Sequence, residues 1–502
     1  MVEDLTSYIR QLSTIRNSTA PIHTKLPPEV LIHIFSFLSP TRRADIKFTH
    51  VCRTWRNLIH GTPQFWVDMI RAIKNPSLPE DFSDILIFLT RSASLPFVLD
   101  FGNMYNMPFL KTLEDRGHLR RLSELSMALP YNHFSLIYSF CQLSMPELRI
   151  LRCRVAVFCF DDTSGPREEE YDFPIVHNFP RLRRLELPEG LLFTPFLAVP
   201  SLTTLVHSGE PLDPILFILA LKLCPELEVL SLQNFRRPTG LSFDVENDDL
   251  RCPLPRMSWC SIDNSEVESS RSFVREFLHM ITLPPTACLT VYHADVYFPS
   301  DIIPPLFQPA IVGTINKLHL TIESGDTTDI RRVGIACSAG DFKCIDVSLT
   351  TRTCEWSRRD VDCYSILHDA TEIFSSARIT SLVLECAPDD SEKENIWINI
   401  LLELPFLLSL IVHVRSCRKL LRALGPPGHI ICAFLRCLAI TSCSGSGVHE
   451  LLVMVAEWRV SMGAPLEKLE YYDESSPPLS VSRMQRLRAV VPEVIVSDRR
   501  PD

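Results

Sequence analysis

One phrase recurs along this chain and leaves it few ways to fold. CPELEVLSLQN sets Pro225 ahead of Leu227, Leu230 and Leu232; FPRLRRLELPE sets Pro180 ahead of Leu182, Leu185 and Leu187; LPFLLSLIVHV sets Pro405 ahead of Leu407, Leu410 and Val412. The frame returns at Pro146 (Leu148, Leu151, Cys153), Pro200 (Leu202, Leu205, His207) and Pro255 (Met257, Cys260, Ile262). Without the proline it appears at Ile315/Leu318/Leu320, Phe342/Ile345/Val347, Ile379/Leu382/Leu384, Leu435/Leu438/Ile440 and Leu466/Leu469/Tyr471, about eleven copies in all.

The spacing carries a mechanical meaning. The last two apolar positions, two apart, point to one side of a short strand. The first apolar residue plugs a turn, and the proline is expected to end the preceding helix. Helical segments such as PLDPILFILALKL and SRSFVREFLHMI fall between copies. Each unit is therefore a strand plus a helix that cannot close a core alone and does so by stacking. This resembles an irregular leucine-rich repeat domain. The prolines at 146, 180, 200, 225 and 255 step unevenly, so irregular curvature is expected.

Ahead of the repeats, APIHTKLPPEVLIHIFSFL begins a helix whose apolar side chains exceed one face. Val30, Leu31, Ile34, Phe35, Phe37 and Leu38 fill a continuous arc, which Ile32 widens to roughly 220°, about twice the stripe needed to face a single core. Pro27 and Pro28 suit a first helical turn, and Glu29 sits where the helix dipole favours an anion. A second stripe follows in Phe48, Val51, Cys52, Trp55, Leu58 and Ile59, stopped by Gly61 and Pro63. Between them, Ser39 to Thr41 form a turn and Arg42 to Ala44 can begin a short middle helix. A unit of about forty residues seldom stabilises itself unaided. The apolar surplus asks for another protein.

Leu26-Pro27-Pro28-Glu29-Val30-Leu31, Ile34, Phe35 and Leu38, Val51-Cys52 with Trp55, then Phe65-Trp66, together resemble an F-box. The preface Ala20-Pro21-Ile22-His23 is similar to the expanded F-box families of mushroom-forming fungi; Ile46-Lys47-Phe48 departs from the family's usual pair of leucines. The resemblance implies a three-helix unit docking on a Skp-type adaptor and through it a cullin, with the rest of the chain choosing a protein substrate. It places Leu26, Pro27, Pro28, Glu29, Leu31, Ile34, Phe35, Leu38, Val51, Cys52, Trp55 and Leu58 in the F-box core or on its adaptor face.

Composition excludes several other classes. With 50 basic and 60 acidic residues the net charge is −10, so no basic field holds nucleic acid. The 17 cysteines include no C-x-x-C pair, which argues against a zinc ribbon or a disulfide framework and for small buried side chains in a reducing compartment. The N-terminus lacks a signal-peptide apolar region, and Glu403 and Pro405 interrupt IWINILLELPFLLSLIVHV, which reads as a buried helix and then a strand. The expected address is cytosol, nucleus or both, away from membranes.

No catalytic constellation is present, and no cofactor or metal is expected. A doubly wound nucleotide-binding sheet would need a glycine-rich phosphate loop, and only 16 glycines occur, without G-x-G-x-x-G. CSGSGVHE reads instead as a tight connection. His449-Glu450 invites a zinc-protease reading, but position 453, one turn on, is Val. No G-x-S-x-G elbow occurs.

The expected fold is mixed α and β: a helical or flexible segment at 1–22, an all-α three-helix F-box at 23–68, a connecting helix and first strand at 69–101, a leucine-rich-repeat-like solenoid at 102–496 and a tail at 497–502. Two insertions, at 161–172 and 236–256, are candidates to line a binding surface. The expected function is that of a non-enzymatic substrate receptor of a Skp/cullin/F-box ubiquitin ligase. A repeat scaffold that holds the adaptor outside ubiquitin transfer is the alternative.

Overall fold

The computed structural model describes residues 2–37, 49–74, 76, 79–102, 106–130, 139–140, 142–156, 178–187, 199–209, 214–235, 251–264, 271–294, 298–303, 309–324, 330–350, 363–386, 396–414, 416–425, 430–442, 447–473 and 479–497. They form two compact units, 1–207 and 208–502. Leu38, the Arg42–Ala44 segment, the Ile46-Lys47-Phe48 departure, the whole 161–172 insertion and most of the 236–256 insertion lie outside the described residues.

The first unit begins with helices α1 (Val2–Ser18), α2 (Pro21–Lys25), α3 (Pro28–Ser36), α4 (Arg53–His60), α5 (Pro63–Ala72) and α6 (Pro79–Arg91), followed later by α7 (Met107–Asp115). Local chemistry marks their ends. Proline occupies the first turn of α3 and α5, Glu80 and Asp81 open α6, Arg91 closes it, and the Asn106 side chain caps α7 by accepting from the Phe109 N–H at 3.0 Å. Five strands, β1 (Phe97–Asp100), β2 (Leu122–Pro130), β3 (Ile150–Ala156), β4 (Arg184–Leu187) and β5 (Thr204–Ser208), pair in sequence order, all parallel. Their register aligns Leu99, Leu125, Leu151, Leu185 and Leu205 in one buried row. The opposite face is polar: Arg152 lies 3.7 Å from Glu124 and 3.2 Å from Glu186 on the neighbouring strands.

The second unit repeats the scheme. Its strands are β6 (Val229–Gln233), β7 (Cys252–Pro253), β8 (Trp259–Asn264), β9 (Ile281–Thr282), β10 (Cys288–Ala294), β11 (Lys317–Ser324), β12 (Ile330–Ala339), β13 (Phe342–Thr350), β14 (Ser381–Cys386), β15 (Ser409–Val414), β16 (Cys437–Ser442), β17 (Lys468–Asp473) and β18 (Glu493–Ser497). Between them run α8 (Pro214–Lys222), α9 (Arg271–Met280), α10 (Pro309–Val312), α11 (Cys363–Ile373), α12 (Ile396–Leu402), α13 (Arg418–Leu424), α14 (Val448–Ser461) and α15 (Val481–Val490). β7 and β9 form a small separate ladder; the others pair in the order β6-β8-β10-β13-β12-β11-β14-β15-β16-β17-β18. Every expected apolar frame position is buried except Phe342, which opens β13 directly after the hairpin turn at 340–341.

Two expectations are corrected. Proline does not end the helix before it: α8 stops at Lys222 and α12 at Leu402, short of Pro225 and Pro405. The N–H groups of Leu148, Leu182, Leu202, Leu227, Met257 and Leu407 instead donate three residues back, to Met145, Phe179, Val199, Cys224, Leu254 and Leu404, which puts each proline at the second position of a β-turn. There its fixed φ is an advantage and its missing N–H costs nothing. Each turn is locked to the next one. Asn316 O accepts from Thr380 N and Ser381 N, Thr380 O from Leu408 N and Ser409 N, Leu408 O from Arg436 N and Cys437 N, and Arg436 O from Glu467 N and Lys468 N.

The second correction concerns the copies at 315–320 and 342–347, which are not successive stacked repeats. β12 runs antiparallel between β11 and β13, so β10 pairs with β13 and β11 with β14. Val333, Ile335 and Cys337 bury the inner side of this added strand, while Gly334 passes close over Thr321.

Candidate functional site

Helix α3 divides its apolar side chains between two surfaces. Leu31 and Phe35, one turn apart, are buried, and the Phe35 ring meets the half-buried Trp55 of α4 edge-on at 4.9 Å. Val30, Ile34 and Phe37 remain 40 %, 42 % and 73 % exposed. On a helical wheel the exposed trio is centred about 110° from the buried pair. The doubled arc thus has one half spent on the core and one half open.

The second stripe starts later than its apolar pattern implies. Cys52 is extended and caps α4, its sulfur accepting from the Trp55 N–H at 3.4 Å, and the Arg56 guanidinium donates to Thr49 O at 3.1 Å. These contacts satisfy donors at the start of α4, so Val51 falls in the preceding turn and is exposed. Leu58 is half-buried and Ile59 buried.

α5 fixes this unit to the strands. Trp66 is fully buried, donates from Nε1 to Ile59 O at 3.1 Å, and lies against Phe65, Phe88 and the Arg91 guanidinium, which sits 4.6 Å from its ring centre. α5 packs on both α6 and β1. Burial, with the Arg91 and Arg56 cations, holds the nearby His60 below its ordinary value.

These residues coincide with a family signature. Residues 23–72 match the F-box-like family model. The match ends at Ala72, the last residue of α5. No curated protein matches the chain. An F-box-like domain implies binding of a Skp-type adaptor, and F-box adaptors are typically non-catalytic.

Within the F-box-like domain the residues singled out from sequence separate by burial. Leu31, Phe35 and Cys52 are core; Leu26, Trp55 and Leu58 are half-buried; Pro27, Pro28, Glu29, Ile34 and Val51 are exposed. Val30 and Phe37 belong with the exposed set although neither is among the residues placed in the F-box core or on its adaptor face. Their signal was the width of the apolar arc.

In the second unit, Trp259 on β8 and Tyr292 on β10 are exposed on the strand face opposite the core. Ser261 and Thr290 lie in register between them, and Trp259 Nε1 donates to Thr290 Oγ1 at 3.2 Å. Farther along this face, His319 Nε2 on β11 lies 3.6 Å from Glu385 on β14. Among the described residues no group of acidic, histidine or cysteine side chains is arranged to hold a metal ion, and no helix is long and apolar enough to cross a membrane. Cys252, Cys260, Cys337, Cys344 and Cys432 are buried and form no disulfide. Burial pushes Cys252, Cys260 and Cys432 up to about 12, which makes them poor nucleophiles.

Proposed function

We propose that this chain is a substrate-recognition subunit of a Skp/cullin/F-box ubiquitin ligase. The observation that carries the reading is the division of α3: Leu31 and Phe35 hold the helix on its own domain, while Val30, Ile34 and Phe37 stay wet until another chain covers them. A Skp-type adaptor is that chain, and ubiquitin transfer is performed by other subunits. The stacked strand-turn units act as a leucine-rich-repeat-like receptor, beginning after the connecting segment 69–101 and running to about residue 496. Exposed Trp259 and Tyr292 are the side-chain types that dominate protein interfaces, so their strand face is the substrate contact. Buried thiols outside any disulfide, such as Cys260, Cys337 and Cys432, suit a cytosolic or nuclear site of action.

The test is co-purification of the full chain with a Skp-type adaptor and cullin. Ile34→Asp and Phe37→Asp should each abolish adaptor recovery without changing the circular dichroism spectrum or the thermal midpoint. Undiminished recovery with both variants refutes the assignment. Recovery of adaptor without cullin in the wild-type assembly points to a scaffold outside ubiquitin transfer.

A further inference from the structure

The polar strand face of the first unit carries more guanidinium than its own carboxylates neutralise. Arg149, Arg152, Arg154, Arg183 and Arg184 come from β3, β4 and the turns that open them, and the carboxylates sharing this face are Glu124 and Glu186. Glu186 Oε1 accepts from Arg184 Nε at 2.7 Å and from Arg152 Nε at 3.2 Å, and Arg152 also lies 3.7 Å from Glu124. Arg149, Arg154 and Arg183 are exposed, and among the described residues no side chain partners them. The turns bring two of these together: Arg149 O accepts from Arg183 N at 2.9 Å and from Arg184 N at 3.0 Å, which stacks position 183 on position 149 at about the 4.8 Å strand spacing. Like charges side by side on neighbouring strands repel. On β5, Thr204 and Val206 continue the face without charge.

We propose that this face docks an extended acidic segment of a partner protein. Charge selects the occupant. Glu186 engages both neighbouring arginines through Nε, which holds the two groups in place and leaves the terminal nitrogens of Arg184 to a second carboxylate, the group a planar guanidinium fork matches. Arg152 and Arg154, two residues apart on β3, lie about 6.7 Å apart along the strand, the spacing of alternate side chains in any extended peptide, so acidic residues at every second position fall opposite them. A polypeptide fits better than a nucleic acid. The chain's net charge of −10 opposes a long polyanion, and the basic area is confined to two strands bounded by Glu124 on β2. The contact adds a stated chemistry to the receptor reading, on a surface separate in sequence from Trp259 and Tyr292.

Fluorescence anisotropy with the full chain and a labelled peptide of alternating glutamate and serine tests it, at low ionic strength where exposed charges are least screened. The wild-type chain should bind this peptide and ignore its glutamine and serine counterpart. Arg149→Gln with Arg183→Gln should weaken binding about tenfold or more, whereas Arg256→Gln with Arg436→Gln, which removes the same charge from ion-paired arginines of the second unit, should change it by less than about twofold. Absence of binding by the wild-type chain overturns the proposal. Equal losses from the two pairs of substitutions also overturn it, because they reduce the attraction to net charge. Tighter binding of single-stranded RNA or of a phosphoserine peptide would assign the face to phosphate, and binding that emerges only when residues 161–172 are replaced by a glycine and serine linker would assign it to that acidic insertion of the chain itself; either result overturns the proposal as well. Peptide binding needs no adaptor, so this contact and the ligase assignment can fail independently.

Discussion

The division of α3 predicts that adjacent apolar residues, changed in the same way, fail in different assays. Val30, Ile34 and Phe37 have 40 %, 42 % and 73 % of their surface still exposed. Full burial of such side chains is worth about 1.5–3 kcal/mol each, so covering the remainder supplies roughly 3 kcal/mol in total. The triple change to Ala should therefore raise the adaptor dissociation constant by about two orders of magnitude. Phe35 is 2 % exposed, and Phe35→Ala should cost the domain about 3–5 kcal/mol instead. Calorimetric titration with purified adaptor and urea denaturation of the free chain separate the two effects. The triple variant should keep its denaturation midpoint and lose affinity, and Phe35→Ala should lower the midpoint. An affinity within threefold of wild type for the triple variant, or a midpoint that falls with it, refutes the division of labour.

Two further predictions concern the second unit. Arg459 is fully buried on α14 and donates to the carbonyls of Ile431, Cys432 and Leu435 at 3.2, 2.9 and 3.3 Å; Arg459→Met removes these donors, leaving Cys432 O with the Leu435 N–H, and should destabilise the chain by about 3–5 kcal/mol in urea denaturation, a loss under about 1 kcal/mol contradicting the role. Hydrogen bonds from Arg486, joined at Glu450 by Arg483, hold the Glu457 and Glu450 carboxyls below the usual carboxylate value. Depressed folded-state values mean that this stabilisation is complete above the ordinary carboxylate range and is lost as pH falls through the lower folded values. Amide protection across α15 and β18, taken relative to the intrinsic exchange rate at each pH, should therefore fall as pH drops below the ordinary carboxylate range and in high salt, and protection insensitive to both would remove the network from the account.

The repeat was legible because its signal is local. Two apolar residues spaced by two after a turn leave a strand little choice, and Leu227, Leu230 and Leu232 are all buried. The β2 strand also fits the frame through Leu122, Leu125 and Met127 but lacks the proline that draws attention to it. β10 was hidden because Thr286 stands where the frame has an apolar residue, with Ala287 buried beside it. β12 was missed for another reason: strand direction depends on which neighbour a strand pairs with, and IRRVGIACSA alternates equally well in either direction. At α3 the wheel exposed an excess of apolar surface but could not say which half faces α4. That choice is made by the Phe35–Trp55 contact between residues twenty positions apart.

The meander of β11, β12 and β13 shows how a sheet of this kind can change its width. β12 alone would reverse the polarity of everything beyond it; because it comes with one further strand, β14 to β18 keep the same heading as β6, β8 and β10. Strands gained or lost here must therefore come in even numbers. Removing such a hairpin would let β11 take the place of β13 beside β10, shortening the molecule without inverting any of its later turns.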